Sequence, residues 1–316
     1  MDISAVLTVT AQVAGASGLV TVSSRAAGWM REKARLRQQA DVARELLGLH
    51  QGRLVAYRHD SKHVLYTGSE RLHPDNLHGL VAASGNAFKR AEEAGRLLIE
   101  DEILTNSAHD LALIGSPTAE GVSRLLFGYS SDGDPDSLAL DQVPLDLPYR
   151  WVLSKNEVDD TAVARRFVAG RGMVERPNWR ISGPGRIYVP RVDEDGVLMD
   201  DYLLVTKVRN YLSPNAIDEG HSITSFGGTH GTGTRALELL FRDTAILSRI
   251  AGQLRSRPGA FQMLFRVSDI DHNRTMGSHA RKIELVEDVV MLPDTDSVWR
   301  TASEIVQRGH DGEALI

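Results

Sequence analysis

The sequence predicts an α/β fold: a Rossmann-like layered sheet with helices on both faces, preceded by an N-terminal helical region. Two observations support this prediction. Short apolar runs, typical of strands covered on both faces, alternate along the chain with helical patterns. Glycine-containing turns at 115–118 and 227–235 also follow two of these runs directly and lead into helices. We expect the sheet domain at 106–292, with a C-terminal helix and tail at 293–316.

Size and composition limit the function classes. The 316 residues, 42% hydrophobic and 25% charged, suffice for one large or two modest soluble domains. A formal net charge of −6 argues against general nucleic-acid binding, which needs a basic face. The chain has no cysteine, so disulfides, thiolate zinc sites and cysteine nucleophiles are excluded. This composition is compatible with a cytoplasmic location.

The N-terminal segment has two open interpretations. Residues 3–24 carry no charge, and basic residues follow from Arg25 onward. About 20 uncharged residues can span a bilayer, and the basic flank would keep the following chain on the inner, cytoplasmic face. Several serines and threonines lower the hydrophobicity, so a helix or strand packed on protein is the alternative to a membrane anchor.

Elements in the first half are read from periodicity and turn residues. The pattern indicates an Arg-rich helix at 25–49, short strands at 54–57 and 64–67, and a largely helical stretch at 73–102. Residues 25–105 are therefore interpreted as an N-terminal helical or adaptor region. A buried strand is expected at 111–114, a helix at 118–129 and a strand at 149–153.

The second half is expected to be richer in strands. Residues 186–192 and 197–208 flank an Asp-Glu-Asp-Gly turn at 193–196, which favours a hairpin. A strand at 221–226 leads into the glycine-rich loop, and a long helix follows at 236–254. The remaining predictions are strands at 261–267 and 283–292 and a short helix at 299–308.

The loop at 226–235 reads Phe-Gly-Gly-Thr-His-Gly-Thr-Gly-Thr-Arg and is the strongest functional signal. Bare backbone N–H groups at a strand-to-helix junction can hold an anion such as a phosphate. Glycine permits close approach of the backbone, and also positive φ, which we expect at Gly231 and Gly233. The alternative is a glycine-rich turn that packs a helix on the sheet. The predicted ligand-binding residues of the loop are Gly227, Gly228, Thr229, Gly231, Thr232, Gly233, Thr234 and Arg235.

The loop resembles the P-G-G-x-G-T-x-x-E loop of the lysine-decarboxylase-like (LOG/SLOG) nucleotide-binding family. The resemblance rests on Gly227-Gly228, on Gly233-Thr234 and on Glu238. It implies a Rossmannoid fold, a nucleotide phosphate held by the loop, and a glutamate that assists N-glycosidic cleavage in the enzymatic members. This sequence departs from the pattern, because four residues rather than one separate the two pairs and Glu238 falls one residue late.

Four further residues are expected to join the loop around one ligand. Ser116 and Thr118 follow the strand at 111–114, and ligands in open α/β sheets lie beyond the carboxyl ends of the strands. If the strand at 202–205 is parallel to its neighbours, Arg209 also reaches this crevice and pairs with a phosphate, and Tyr211 stacks on a base. The alternatives are a helix cap for the first two residues and a charged surface for the others.

Catalytic roles are considered for His230 and Glu238, as acid–base groups. No metal site is predicted: His59 and His63 fall on an extended segment, and the acidic loop at 132–136 lacks the distal glutamate of a calcium loop. No cofactor can be named from the sequence.

The preferred function is a sensor or effector domain that binds a nucleotide or another phosphorylated small molecule and changes its assembly, including homo-oligomer formation. The first alternative is a nucleotide N-glycosidase or phosphohydrolase. The second is a structural or interaction protein without a ligand, in which the N-terminal segment drives oligomer or membrane association.

Overall fold

The fold is α+β and mostly antiparallel, so the prediction of a Rossmann-like layered α/β fold is wrong. The computed structural model describes residues 54–56, 110–118, 121–129, 143–153, 163–168, 170–254 and 259–313. Strand accounts for 41% of the interpretable region and helix for 27%. The physical reason for the error is that an apolar run has the same pattern in either direction, and the runs at 200–209 and 261–273 lie antiparallel to their neighbours in the sheet.

The main sheet has seven strands: β1 (Leu54–Ala56), β2 (Asp110–Ile114), β8 (Asp200–Arg209), β9 (Ser222–Gly228), β10 (Phe261–Asn273), β11 (Gly277–Leu285) and β12 (Val290–Met291). Their order is β1-β2-β9-β8-β10-β11, with β12 also beside β10. β1, β2 and β9 are parallel; the sequence led us to expect this of β2 and β9 but placed β1 outside the sheet domain. β8, β10, β11 and β12 are all antiparallel to their neighbours.

Two smaller sheets combine strands predicted at 149–153 and 186–192 with three strands from residues 163–183, which the sequence analysis left without strands. β3 (Arg150–Val152), β6 (Arg180–Gly183) and β7 (Arg186–Tyr188) make a three-stranded antiparallel sheet, and β4 (Val163–Val168) pairs with β5 (Gly172–Pro177). The turn expected at 193–196 does form, since the Gly196 N–H donates to the Asp193 carbonyl at 3.0 Å. Antiparallel pairing across the turn is limited to residues 191–199, where the Met199 N–H donates to the Arg191 carbonyl at 2.7 Å. The strands beyond it belong to different sheets, so the hairpin is shorter than predicted.

The helices are α1 (Gly121–Phe127), α2 (Pro214–Asp218), α3 (Gly231–Arg235), α4 (Leu237–Arg242), α5 (Thr244–Leu254) and α6 (Asp296–Glu313). The single helix predicted at 236–254 is broken because Asp243 is extended (φ −80°, ψ 102°). Its carboxylate accepts the backbone N–H groups of Ala245 and Ile246 at 2.9 and 3.0 Å, which caps α5.

The main sheet separates two hydrophobic cores. On one face α4 and α5 pack on Leu203, Val205 and Phe226, which we call the helix-side core. On the other face the small sheet and α6 pack on Leu204 and Val208 together with three tryptophans, which we call the tryptophan-side core. Successive residues of β8 therefore alternate between the two cores, as the pleat of a strand requires. The tryptophans of the tryptophan-side core are Trp151, Trp179 and Trp299.

Several predictions concern residues outside the described ones. They are the anchor at residues 3–24, the elements at 25–49, 64–67 and 73–102, the two histidines at 59 and 63, and the acidic loop at 132–136. No helix within the described part of the chain is both long and apolar enough to cross a membrane.

Candidate functional site

The glycine loop joins β9 to α3 and is packed inside the molecule. Every residue from Phe226 to His230 is buried. β9 continues through Gly228, two residues further than predicted, and α3 begins at Gly231. A ligand could reach the backbone of this loop only by displacing groups that already cover it.

The anion that the loop holds is a side chain of the protein itself. Asp201 is the second residue of β8 and has 0% exposure. Its carboxylate accepts the backbone N–H of His230, at 3.2 Å from each oxygen, and that of Gly233 at 2.5 Å. The hydroxyl of Thr229 donates to the same carboxylate. Two of the amides expected to grip an external phosphate, those of His230 and Gly233, are therefore occupied by Asp201.

Other polar groups of the loop form hydrogen bonds within the loop or to β8. Thr234 accepts the Gly228 N–H on its hydroxyl at 2.8 Å, and the Thr229 N–H donates to the Tyr202 carbonyl at 3.0 Å. The Thr232 hydroxyl is buried with no hydrogen-bond partner among the described residues. Since Thr232 is 0% exposed, this hydroxyl does not face solvent either.

Burial sets the protonation of Asp201. Removal from water raises the pKa of its carboxyl to about 7, and hydrogen bonds from Thr229 and from the Tyr202 and Gly233 amides oppose that rise. A carboxylate in this position accepts every hydrogen bond that the loop directs at it. Protonation would turn one acceptor into a donor facing N–H groups, so charge and loop geometry are coupled.

The glycines of the loop are needed for space. A Cβ on Gly228 would lie 2.2 Å from the Thr234 nitrogen, and one on Gly233 would lie 2.3 Å from the Tyr202 carbonyl oxygen. A Cβ on Gly227 would meet the Trp151 ring at 2.9 Å. Gly231 and Gly233 are helical and do not have the positive φ that we expected of them. The composition of the loop thus follows from close packing of α3 on β8 and β9.

His230 points into the protein. It is 6% exposed, and its Nε2 lies 3.2 Å from the Asn178 amide oxygen, whose own nitrogen donates to the Pro190 carbonyl. Burial lowers the pKa of His230 to about 3, and the positive charge of Arg166 adds to that shift. The imidazole is therefore neutral at physiological pH and fixed by Asn178.

The structure brings Ser116 to the loop but places Arg209 elsewhere. Because β2 and β9 are parallel, Ser116 lies beside Gly227, with its Cα 3.0 Å from where a Cβ would stand. Its hydroxyl, however, bonds to that of Thr118 at 2.9 Å. β8 is antiparallel to β9, so Arg209 pairs with Ser222 at the far end of the sheet, about 20 Å along the strand from the loop.

The remaining predicted site residues also have partners in the protein. Arg235 donates to the Met276 carbonyl and so ties α3 to the β10–β11 hairpin. Glu238 forms an ion pair with Arg242 one turn later in α4, at 2.5 Å. Tyr211 is 0% exposed, stacks on Trp299 and donates its hydroxyl to the Leu126 carbonyl, so it is not placed to stack on a base.

A second feature, which we call the edge groove, runs along β11 at the edge of the main sheet. Its volume is about 950 Å³. One wall is formed by α4 and α5, and the other by β7 with parts of β8 and β10; residues 281–286 form the floor. Six basic side chains line it, against two acidic ones. The basic residues are Arg186, Arg242, Arg249, Arg266, Arg281 and Lys282.

The cations of the edge groove are paired mostly with carboxylates that stand outside its lining. Arg249 bonds Asp288 at 2.8 Å and Arg281 bonds Asp271 at 2.8 Å, and the four side chains are 38–76% exposed. Arg266 is different, because it bonds the buried Asp200 at 2.6 Å. The exposed pairs of Arg249 and Arg281 therefore leave both guanidinium groups accessible to solvent in the groove lining.

An aromatic corner closes one end of the edge groove. Tyr188 and Tyr202 lie edge to face with ring centroids 5.7 Å apart, and the Arg186 guanidinium sits 4.5 Å above the Tyr188 ring. Glu287 accepts the Tyr188 hydroxyl at 2.7 Å. Hydrogen bonding to Tyr188 is the main cause that lowers the pKa of Glu287, which stays ionised beside these rings.

Sequence reasoning missed Asp201, Asn178 and the edge groove. A signal for Asp201 exists: two consecutive aspartates, 200 and 201, open a strand that is otherwise strongly apolar, and buried carboxylates need dedicated partners. No comparable signal marks the groove, since its lining comes from six separate elements.

Comparison of the chain with family models, with curated proteins and with solved structures gives no match. The resemblance of the loop to the lysine-decarboxylase-like family therefore stays a prediction.

Proposed function

We propose that this chain is a binding domain that recognises an anionic ligand in the edge groove. The observation that carries the proposal is the lining of the groove, where six basic side chains face about 950 Å³ of space beside two tyrosines. Nucleotides and other phosphorylated molecules, the class expected from the sequence, belong to this ligand chemistry. The proposed place for them is the groove, because the loop already holds Asp201.

The existing ion pairs leave room for such a ligand. Exposed pairs such as Arg249–Asp288 contribute about 0–1 kcal/mol each, so exchanging the carboxylate for a ligand anion costs little. A guanidinium carries five N–H donors, and an exposed carboxylate partner occupies a part of them. Arg242, Arg249 and Arg281 are 50–67% exposed and can present their other donors to the groove.

The positions of His230 and Glu238 favour a binding function over a catalytic one. An acid–base role would require His230 or Glu238 to reach a substrate, but the first is buried and neutral and the second is paired with Arg242. Neither group supports the alternative of a nucleotide N-glycosidase or phosphohydrolase. The sensor role, the homo-oligomer and the tether at residues 3–24 stay predictions that add to the proposed binding function.

The test is titration calorimetry of the full chain with pyrophosphate, AMP, ATP, NAD and an acidic peptide. The double variant Arg242→Gln/Arg249→Gln removes two groove cations. Arg300→Gln is the matched control, because Arg300 is 53% exposed and pairs with the equally exposed Asp218 away from the groove. We expect the double variant to raise the Kd at least about tenfold, since a hydrogen bond to a charged group is worth about 1.5–3 kcal/mol. Absence of binding by every probe would reject the proposal.

A further inference from the structure

We infer that the ligand of the edge groove is an extended acidic peptide segment, which adds to β11 as a further strand of the main sheet. This inference rests on the proposed function, because it names the chemical class of the anion that the groove takes. Addition of a strand to a sheet edge is a known mode of peptide recognition, in which main-chain hydrogen bonds give affinity and side-chain pockets give specificity.

The floor of the groove is a sheet edge. Among the described residues β11 pairs with β10 alone. The Val286 N–H donates to the Leu264 carbonyl at 2.9 Å, which fixes the alternation of hydrogen bonds along this antiparallel pair. Glu284 and Lys282 therefore direct their backbone groups at β10, while the N–H and C=O of Ile283 and Leu285 point outward along the groove.

The chemistry of this edge favours a peptide over a free phosphate. An outward-facing strand edge offers donors and acceptors in alternation, and each has to be satisfied when the edge is covered. A phosphate accepts hydrogen bonds but cannot satisfy the outward carbonyls of Ile283 and Leu285. A second strand satisfies both kinds of group.

The two walls explain why the segment should be acidic on both of its faces. Successive side chains of an added strand would point alternately to the two faces of the sheet. The helix wall presents Arg242 and Arg249 beside the apolar Leu239 and Ile246. The opposite wall presents Arg186 and Arg266 beside Tyr202 and Val286, so each face offers cations and apolar surface together.

The probe follows from this pattern. A fluorescent peptide of nine residues, matching the length of β11, repeats two glutamates followed by two valines, so that each face carries one acid and one apolar residue per repeat. A second peptide has the same sequence and charge, with two adjacent central amides N-methylated. In either register, one of these two amides faces β11, so methylation removes one hydrogen bond and introduces a clash.

Fluorescence anisotropy with the full chain measures both peptides, with ATP and pyrophosphate as competitors. We expect the unmodified peptide to bind, the methylated one to bind at least about tenfold more weakly, and Arg242→Gln/Arg249→Gln to weaken the unmodified peptide while Arg300→Gln does not. Equal affinity of the two peptides would overturn strand addition and leave charge recognition standing. Binding of ATP or pyrophosphate without the peptide would overturn the inference alone, and no binding of any probe would overturn the proposed function as well.

Discussion

At the scale of the residue, Asp201 explains what the glycine loop is for. A loop rich in backbone donors binds an anion wherever one is offered, and here the neighbouring strand supplies it at 0% exposure. The same carboxylate joins β8, the end of β9 and the start of α3 through three donors. The loop therefore has a structural role, in which its backbone N–H groups bind a carboxylate of the protein as they would bind a phosphate.

Asp201→Asn tests this role. The amide nitrogen of asparagine is a donor and would face the N–H groups of His230 or Gly233, leaving buried donors without an acceptor. We expect a loss of about 3 kcal/mol in the free energy of unfolding at pH 5, where Asp201 is protonated in the folded state and carries no destabilising charge, and a smaller loss as pH rises to 7; urea denaturation measures both. The control is Asp193→Asn, which also accepts two backbone N–H groups, from Asp195 and Val197, but is exposed. A loss of similar size in both variants would contradict the special role of Asp201.

The pH dependence of stability should reveal two opposing buried groups. The folded state raises the pKa of Asp201 from 3.8 to about 7, so its contribution is full below pH 3.8 and is lost as pH rises to 7. It lowers the pKa of His230 from 6.5 to about 3, so that contribution is present above pH 6.5 and is lost as pH falls to 3. Between pH 4 and 6.5 the two slopes have opposite signs and nearly cancel.

Substitution of each group separates the slopes. We expect the stability of His230→Gln relative to the unmodified chain to fall by about 1.4 kcal/mol per pH unit as pH rises from 4 to 6.5, because the Asp201 slope is no longer offset. Asp201→Asn should show the opposite relative slope over the same range. Urea unfolding at half-unit pH steps measures both, and equal slopes in the two variants would refute the assignment.

At the scale of the element, the approach of α3 to β8 and β9 is limited by backbone contact. Gly233→Ala would place a Cβ 2.3 Å from the Tyr202 carbonyl oxygen, and backbone cannot move aside cheaply. We expect a loss of at least about 3 kcal/mol in unfolding free energy, or failure to fold. Gly252→Ala in α5 is the matched control: a Cβ there meets nothing within 4 Å, so the change should stabilise by about 0.5–1 kcal/mol. Thermal unfolding that ranks the two variants the other way would contradict this account.

Elements with strong local patterns could be predicted from the sequence, and their pairing could not. Strand β2 and the core of α6 appear where periodicity placed them. The parallel neighbours β2 and β9 were also expected, because each leads through a turn into a helix. The direction of β8 was not expected, since an apolar run has the same pattern in either direction. Because β8 runs antiparallel to β9, Arg209 lies far from Ser116. The break at Asp243 depends on a cap that periodicity over 236–254 does not reveal.

The candidate site shows the same division. From the local composition of the glycine loop we predicted that it binds the phosphate of a ligand; in the structure its amides bind the carboxyl group of Asp201. The sequence could not show that Asp201, about 30 positions earlier in the chain, supplies the bound group, because the contact depends on the antiparallel register of β8 and β9. The edge groove depends further on which strand lies at the edge, and strand order is a property of the whole sheet.

At the scale of the whole molecule, one sheet serves two cores. Leu203 contributes to the helix-side core and Leu204 to the tryptophan-side core, and both are at most 1% exposed. Because they are adjacent on β8, neither face of the sheet can lose its packing without disturbing the backbone on which the other depends. The edge groove is lined by residues from both faces of the sheet, so we expect it to unfold together with the two cores.

This coupling predicts a single unfolding transition. Leu203→Ala removes packing only from the helix-side core, where the described residues include no tryptophan, and should cost about 2–5 kcal/mol. In a Trp29→Phe background the remaining tryptophans, Trp151, Trp179 and Trp299, all belong to the opposite core. We expect the urea midpoint from their fluorescence to fall by as much as the midpoint from far-UV circular dichroism. Leu204→Ala, the matched variant on the other face, should lower both midpoints together in the same way. If Leu203→Ala lowered the circular-dichroism midpoint and left the fluorescence midpoint unchanged, the two cores would unfold separately, and the sheet would not couple them.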